Sequence, residues 1–141
     1  MTLPTRCQII IRHPFCIPAI QLRAEYYNGA ITGNPAYVTC DNLSFDHYWR
    51  LGGPGNGIGN DFFSARWVGH VFLPAGSYTF RVGADDGIRL WLDGALIINE
   101  WRIQGYTEYH TTRSFSTSTS HEIRVEYYEN DGAARASFRL E

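Results

Sequence analysis

The sequence predicts an all-β fold, a sandwich or barrel of short strands, and three observations carry that prediction. Nine Tyr, eight Phe and four Trp stand against one Met, and flat or branched side chains fill a pleated surface better than a helix. Fourteen Gly supply many turns. Short alternating apolar runs recur with turn signals between them, and no stretch of useful length shows helical periodicity.

Taken in order, residues 1–20 read as an N-terminal arm punctuated by Pro4, Pro14 and Pro18, and residues 21–141 read as one domain. Leu22 to Tyr27 is the first strand and Ala36 to Cys40 a weaker second. Residues 41–60 read as a long loop without regular structure, centred on the glycine-rich run Gly52 to Gly59. Ser64 to Phe72 is a strand. After the turn Pro74-Ala75-Gly76, Ser77 to Ala84 alternates cleanly, with Tyr78, Phe80 and Val82 on one face and Thr79 and Arg81 on the other. Ile88, Leu90 and Leu92 alternate against Arg89, Trp91 and Asp93. Asp93-Gly94 is a two-residue hairpin signal, with Ala95 to Ile98 as the return strand. His110 to Phe115 and Glu122 to Tyr128 follow, and Asn130-Asp131-Gly132 turns the chain into Ala133 to Leu140. Glu-Tyr-Tyr occurs at 25–27 and at 126–128, but the flanking residues differ, so it marks similar strands and not a repeat.

A chain of 141 residues can bury a sizeable core as one domain. The formal charge is −2 and the charges are scattered, so there is no basic stripe to hold nucleic acid. No apolar run approaches membrane-spanning length, and Ile9-Ile10-Ile11, broken by Arg12, His13 and Pro14, is no signal peptide. An extracellular role would therefore need another export route or a longer parent protein. Of the three cysteines, Cys7 and Cys16 could bridge in an oxidising compartment; the alternative is three free thiols, Cys40 among them, acting as small hydrophobes.

Enzyme signatures are weak. The five histidines form no metal-binding pair, and there is no Gly-x-Ser-x-Gly elbow. The glycine-rich loop lacks the Gly-Lys-Ser/Thr ending of a phosphate cradle. Asp85 and Asp86 are adjacent, and neighbours in an extended chain point to opposite faces, so they do not suit a pair of glycosidase carboxyls.

Metal binding suits them better. A hard cation such as calcium takes six to eight oxygens from carboxylates, amides and main-chain carbonyls. Asp85, Asp86, Asn130, Asp131 and the carbonyls around Gly132 offer all three kinds. For both aspartates to reach one ion their side chains must lie on the same side, which a cis peptide between them would achieve. On its own, Asp85-Asp86-Gly87 is an ordinary turn.

Further segments change its meaning. Leu22 to Asn28, Asp61 to Gly69, Leu73 to Phe80, Asp85 to Gly94, Asn99-Glu100-Trp101 and Ile123 to Asn130 resemble, in order and spacing, the PA-fourteen domain family named from anthrax protective antigen. The resemblance implies an antiparallel β-sandwich with jelly-roll character. In the lectin members it implies calcium held by two aspartates joined by a cis peptide, a later amide, and carbonyls two and four residues beyond. Carried over, these are Asp85, Asp86, Asn130, Gly132 and Ala134, with Glu129 competing for the place of Asn130. Sugar hydroxyls would complete the calcium shell. Asp131, Tyr48 and Tyr106 are candidate sugar contacts; Trp67, Trp91 and Trp101 read as structural, and Asp61 with Arg66 as an internal ion pair.

The leading expectation is a non-catalytic, calcium-dependent carbohydrate-binding module, extracellular or on a cell surface. The alternative is a structural or protein-interaction domain of a larger secreted protein, because fold does not imply function. A glycosidase is the weakest reading, with any catalysis expected in a neighbouring domain.

Overall fold

The computed structural model describes residues 21–141. The arm expected over 1–20, and any bridge between Cys7 and Cys16, lie outside the described residues. Cys40 is disulfide-bonded, which corrects its reading as a free thiol.

Ten strands follow in chain order: β1 Gln21–Asn28, β2 Tyr37–Asn42, β3 Phe45–Arg50, β4 Phe63–Leu73, β5 Gly76–Asp85, β6 Gly87–Leu92, β7 Ala95–Glu100, β8 Thr107–Phe115, β9 Thr119–Glu129 and β10 Ala134–Leu140. They form a six-stranded sheet, β2-β1-β4-β9-β6-β7, and a four-stranded sheet, β3-β10-β5-β8. Every pairing is antiparallel. The fold is an all-β sandwich, as expected, and no helix occurs among the described residues.

Period-two alternation explains the core. Along β9, Ile123, Val125, Tyr127 and Glu129 are buried between the sheets, while Arg124 and Tyr128 are half-buried on the outer face. On β5, Phe80, Val82 and Ala84 point into the same interior beside Phe138, Ala136 and Ala134 of the neighbouring strand β10. Trp67 is fully buried at the centre, stacked on Phe45 with ring centroids 4.4 Å apart. The Asp93-Gly94 hairpin is present, with φ of +50° and +83° at its two central residues, as a type I′ turn requires.

One element corrects the sequence reading. The segment 41–60 taken as loop holds the end of β2 and all of strand β3, so Tyr48 and Trp49 sit on a strand and not in a loop. Phe45, His47 and Trp49 alternate inward there. His47 stacks on Trp49 at 5.3 Å and donates from Nε2 to Asp41 Oδ2 at 2.8 Å. Only the glycine-rich part is irregular. Asn28 ties it down, donating from Nδ2 to Gly57 O and accepting at Oδ1 from Gly59 N–H, each at 2.9 Å.

On the outer face of the six-stranded sheet, Glu25, Arg66, Glu126 and Arg89 stand in register on β1, β4, β9 and β6. The row alternates in charge across four strands, an arrangement that cross-strand pairing favours. Arg66 Nε donates to Glu25 Oε1 at 3.0 Å and Arg66 NH2 to the Tyr27 hydroxyl at 2.9 Å. Arg66 therefore pairs with Glu25 and Glu126, and the expected Asp61–Arg66 pair does not form.

Candidate metal and ligand site

The site lies where the chain changes sheet. Asp85 ends β5 in one sheet and Gly87 opens β6 in the other, with Asp86 alone between them. The Asp85–Asp86 peptide is cis. Position 87 needs glycine, because a Cβ there would overlap the Tyr128 ring.

Asp86 is 3% exposed. Its Oδ1 accepts from Gln104 N–H at 3.1 Å and its Oδ2 from Asn130 N–H at 2.8 Å. Its own N–H donates to Tyr128 O at 3.2 Å, and its carbonyl accepts from Gln104 Nε2 at 2.8 Å. The buried Tyr127 hydroxyl donates to the Asp85 carbonyl at 2.6 Å. Thus the 101–106 loop, the end of β9 and the β9–β10 turn all close on this aspartate pair.

Glu129, the last residue of β9, brings a third carboxylate. It is 1% exposed, and neither of its carboxylate oxygens has a hydrogen-bond partner. One carboxylate oxygen each from Asp85, Asp86 and Glu129 lies within 4.8 Å of the others. Burial first, and then repulsion from neighbouring carboxylates, pushes Glu129 up to about 9 and Asp85 up to about 6. Glu129 and Asp86 approach without meeting hydrogen-bond geometry, so charge and burial explain the rise better than a shared proton. Asp61, which accepts from Gly132 N–H at 3.1 Å, adds a fourth negative charge nearby. Three carboxylates this close, two of them buried, are costly to ionise together without a counter-charge. An all-oxygen set with unpartnered, buried oxygens fits a hard cation and does not fit zinc or copper chemistry.

The structure brings Asp85 and Asp86 together with Glu129. Asn130 touches Asp86 through its main-chain N–H. Asp131 is exposed at the turn, Gly132 has φ of +83°, and Ala134 is buried at the start of β10 opposite Arg50. Tyr48 and Tyr106 flank Arg135, which stands in register with Asp85. The Arg135 guanidinium lies 5.2 Å from the Tyr48 ring centre and 3.9 Å from that of Tyr106, and grips Asp46 with bonds of 3.0 and 2.7 Å. Tyr48 is 52% exposed, whereas the Tyr106 hydroxyl is engaged by Ser137 at 2.7 Å and Glu108 at 2.9 Å. Sequence reasoning gave no role to Gln104 and the wrong partner to Asp61. Nothing in the pattern around Gln104 signals a main-chain contact to a residue eighteen positions earlier. The resemblance offers Glu129 only as a competitor of Asn130; the signal that singles it out is its strand parity with the inward Val125 and Tyr127.

Comparison with known proteins agrees with this fold. The family model described as PA14 domain matches residues 22–141. The anti-sigma-I factor RsgI3 of Acetivibrio thermocellus is 38% identical over 117 residues, which are 82% of this chain and 18% of that protein. A solved anti-sigma factor domain-containing protein superposes with a TM-score of 0.77 at 35% identity, covering 86% of this chain and 43% of its own. A PA14 sugar-binding domain from an RTX adhesin shares the fold, with a TM-score of 0.71 at 19% identity over 87% of this chain and 90% of that one. The chain thus spans under half the length of the two anti-sigma relatives.

Proposed function

The chain belongs to the PA14 domain family, and from that premise we propose that it is a calcium-dependent carbohydrate-binding module without catalytic activity of its own. The observation that carries the reading is the Asp85–Asp86–Glu129 cluster, with two unpartnered oxygens on a buried glutamate. Asp85 and Asp86 supply carboxylate oxygens. The β9–β10 turn supplies the remainder: the Glu129 carboxylate, the Asn130 amide and the Gly132 and Ala134 carbonyls. Calcium, when bound, offers coordination positions that a vicinal diol can fill by replacing two waters at once.

The chain's own groups prepare this binding. Gln104 and Asn130 fix Asp86 by main-chain hydrogen bonds, so the carboxylate needs no reordering when a ligand arrives. Asp131 at the turn, Tyr48 on β3 and Tyr106 in the 101–106 loop border the sugar. Affinity per site would be modest, and repetition within a larger protein would raise it through effective concentration. The proposed setting is outside the cell or on its surface. The sugar-binding RTX adhesin domain supports the reading through fold alone.

A second reading is favoured by the anti-sigma relatives, of which this chain covers a part. In that reading the domain is an interaction module of a longer protein and binds no sugar. Calorimetric titration with calcium, followed by glycan-array binding with and without EDTA, separates the two. Calcium-dependent retention that is lost in Asp85→Ala and in Glu129→Gln supports the first reading. Absence of heat and of any thermal shift with calcium supports the second.

A further inference from the structure

We propose that the outer face of the six-stranded sheet carries a second, metal-independent saccharide site, which takes a neutral sugar ring with vicinal hydroxyls. It lies in a cleft of about 500 Å³ floored by Arg66, Glu126 and Arg89 and walled by Phe62, Trp101 and Tyr128. That volume lies within the range of small-molecule sites, and an apolar wall around a few polar groups is their usual chemistry. Glu129 and Asn130 stand at its edge, but the contacts argued for the sugar are those of the Arg66–Glu126–Arg89 floor and the aromatic walls, so the proposal does not rest on bound calcium.

The floor has spare hydrogen-bonding capacity. Glu126 is 7% exposed, yet its contacts are long: 3.3 Å to Arg89, 3.6 Å to Arg66 and 4.0 Å to Arg124. Charge-assisted bonds normally close to 2.7–2.9 Å, so this carboxylate can still accept a good hydrogen bond. Arg66 is different, being committed to Glu25 and the Tyr27 hydroxyl. It fixes one side of the floor while Glu126 and Arg89 stay loosely engaged with each other. Adjacent sugar hydroxyls suit that pair: one donates to Glu126 and its neighbour accepts from Arg89. The row Glu25–Arg66–Glu126–Arg89 holds two charges of each sign, which favours a neutral polyol over an anion.

The walls give the second argument. Phe62 has φ of +56°, a rare conformation for a bulky residue. Two main-chain bonds hold it there, Gly29 N–H to Phe62 O at 2.7 Å and Phe62 N–H to Asn130 O at 3.0 Å. Its ring is nonetheless 60% exposed at the cleft. A costly backbone that yields no burial is a mark of a functional position. Opposite, Arg89 lies 3.7 Å over the Trp101 ring, and Tyr128 packs on Trp101 at 4.7 Å. Trp101 is thus a prearranged wall. Glu129 and Asn130 border the cleft as well, so one oligosaccharide could engage both sites.

The test is a titration of the full chain in EDTA with cellobiose, lactose and xylobiose, followed by amide and side-chain NMR. At least one disaccharide is expected to shift the Trp101 indole N–H and the Arg89 Nε–H saturably. Affinity is expected to fall about tenfold in both Phe62→Ala and Trp101→Ala, the scale of one lost aromatic contact, and to be the same in EDTA as in calcium. The proposal is overturned if none of the three disaccharides shifts these resonances, or if both aromatic variants bind as well as the parent. A shift seen only with calcium also overturns it, and leaves the calcium site standing.

Discussion

Asn130 and Asp86 are joined through the main chain: the Asn130 N–H donates to Asp86 Oδ2 at 2.8 Å, and the turn after β9 is tied to the aspartate pair by a bond that truncating the side chain at 130 does not remove. Asp86→Ala strands this N–H and that of Gln104 together. Each buried, unmet donor costs about 1–3 kcal/mol, so the two together cost roughly 2–6 kcal/mol in urea denaturation in EDTA, offset in part by relief of the repulsion on Asp85 and Glu129. Asn130→Ala should lose far less. Equal losses in the two variants would contradict the main-chain assignment.

Without metal, the site should favour acid. Glu129 and Asp85 sit above their ordinary values, at about 9 and about 6, chiefly through burial. A carboxyl raised in the folded state makes native protein bind more protons than unfolded protein, so stability falls as pH rises through the raised value. Thermal denaturation in EDTA should therefore show the melting temperature falling from pH 5 to pH 9. Glu129→Gln should flatten the upper part of that slope. A melting temperature that rises over this window would refute the assignment.

The strands and the site were legible to different degrees. The Asp93-Gly94 turn and the alternation of Tyr78, Phe80 and Val82 fixed their strands by local chemistry alone. Strand β3 was hidden because the glycine run beside it is a stronger signal than the alternation of Phe45, His47 and Trp49. What makes β3 a strand is distant: its rings stack on Trp67 and its backbone pairs with β10. The Asp85–Asp86 pair could be found by resemblance, and Glu129 by strand parity. Gln104 and Asp61 act through contacts to main-chain groups far along the chain, and the cleft joins residues from β4, β9, β6 and four loops. No local pattern encodes such meetings.

Glu25 offers a pH test on the opposite side of the sign rule. Burial raises its carboxyl, but hydrogen bonds from Arg23 and Arg66 outweigh that and hold it below the ordinary carboxylate range. Its contribution is present above the unfolded value and is lost as pH falls through the folded one. Glu25→Gln should cost about 1.5–3 kcal/mol at pH 7, the scale of hydrogen bonds to a charged group. Chemical denaturation of parent and variant should converge below about pH 4. A difference that persists undiminished into acid would show that packing, and not charge, accounts for it.

Tyr106 and Tyr48 share Arg135 but should respond differently. Tyr106 is anchored, its hydroxyl bonded to Ser137 and Glu108 and its ring 3.9 Å under the guanidinium. Tyr106→Phe removes a partner from Ser137, which is 3% exposed, and should cost about 1–2 kcal/mol in stability. Tyr48 is half-exposed on β3, with Arg50 at 4.7 Å and Arg135 at 5.2 Å from its ring. Tyr48→Ala should change stability by less than about 1 kcal/mol, because it forfeits only exposed cation–π contacts. If Tyr48 borders the sugar, the same variant should weaken calcium-dependent glycan retention severalfold. Retention on the array, set beside denaturation curves for both variants, separates the two roles. A Tyr48→Ala protein that keeps full retention would restrict sugar contact to the metal, Tyr106 and the β9–β10 turn.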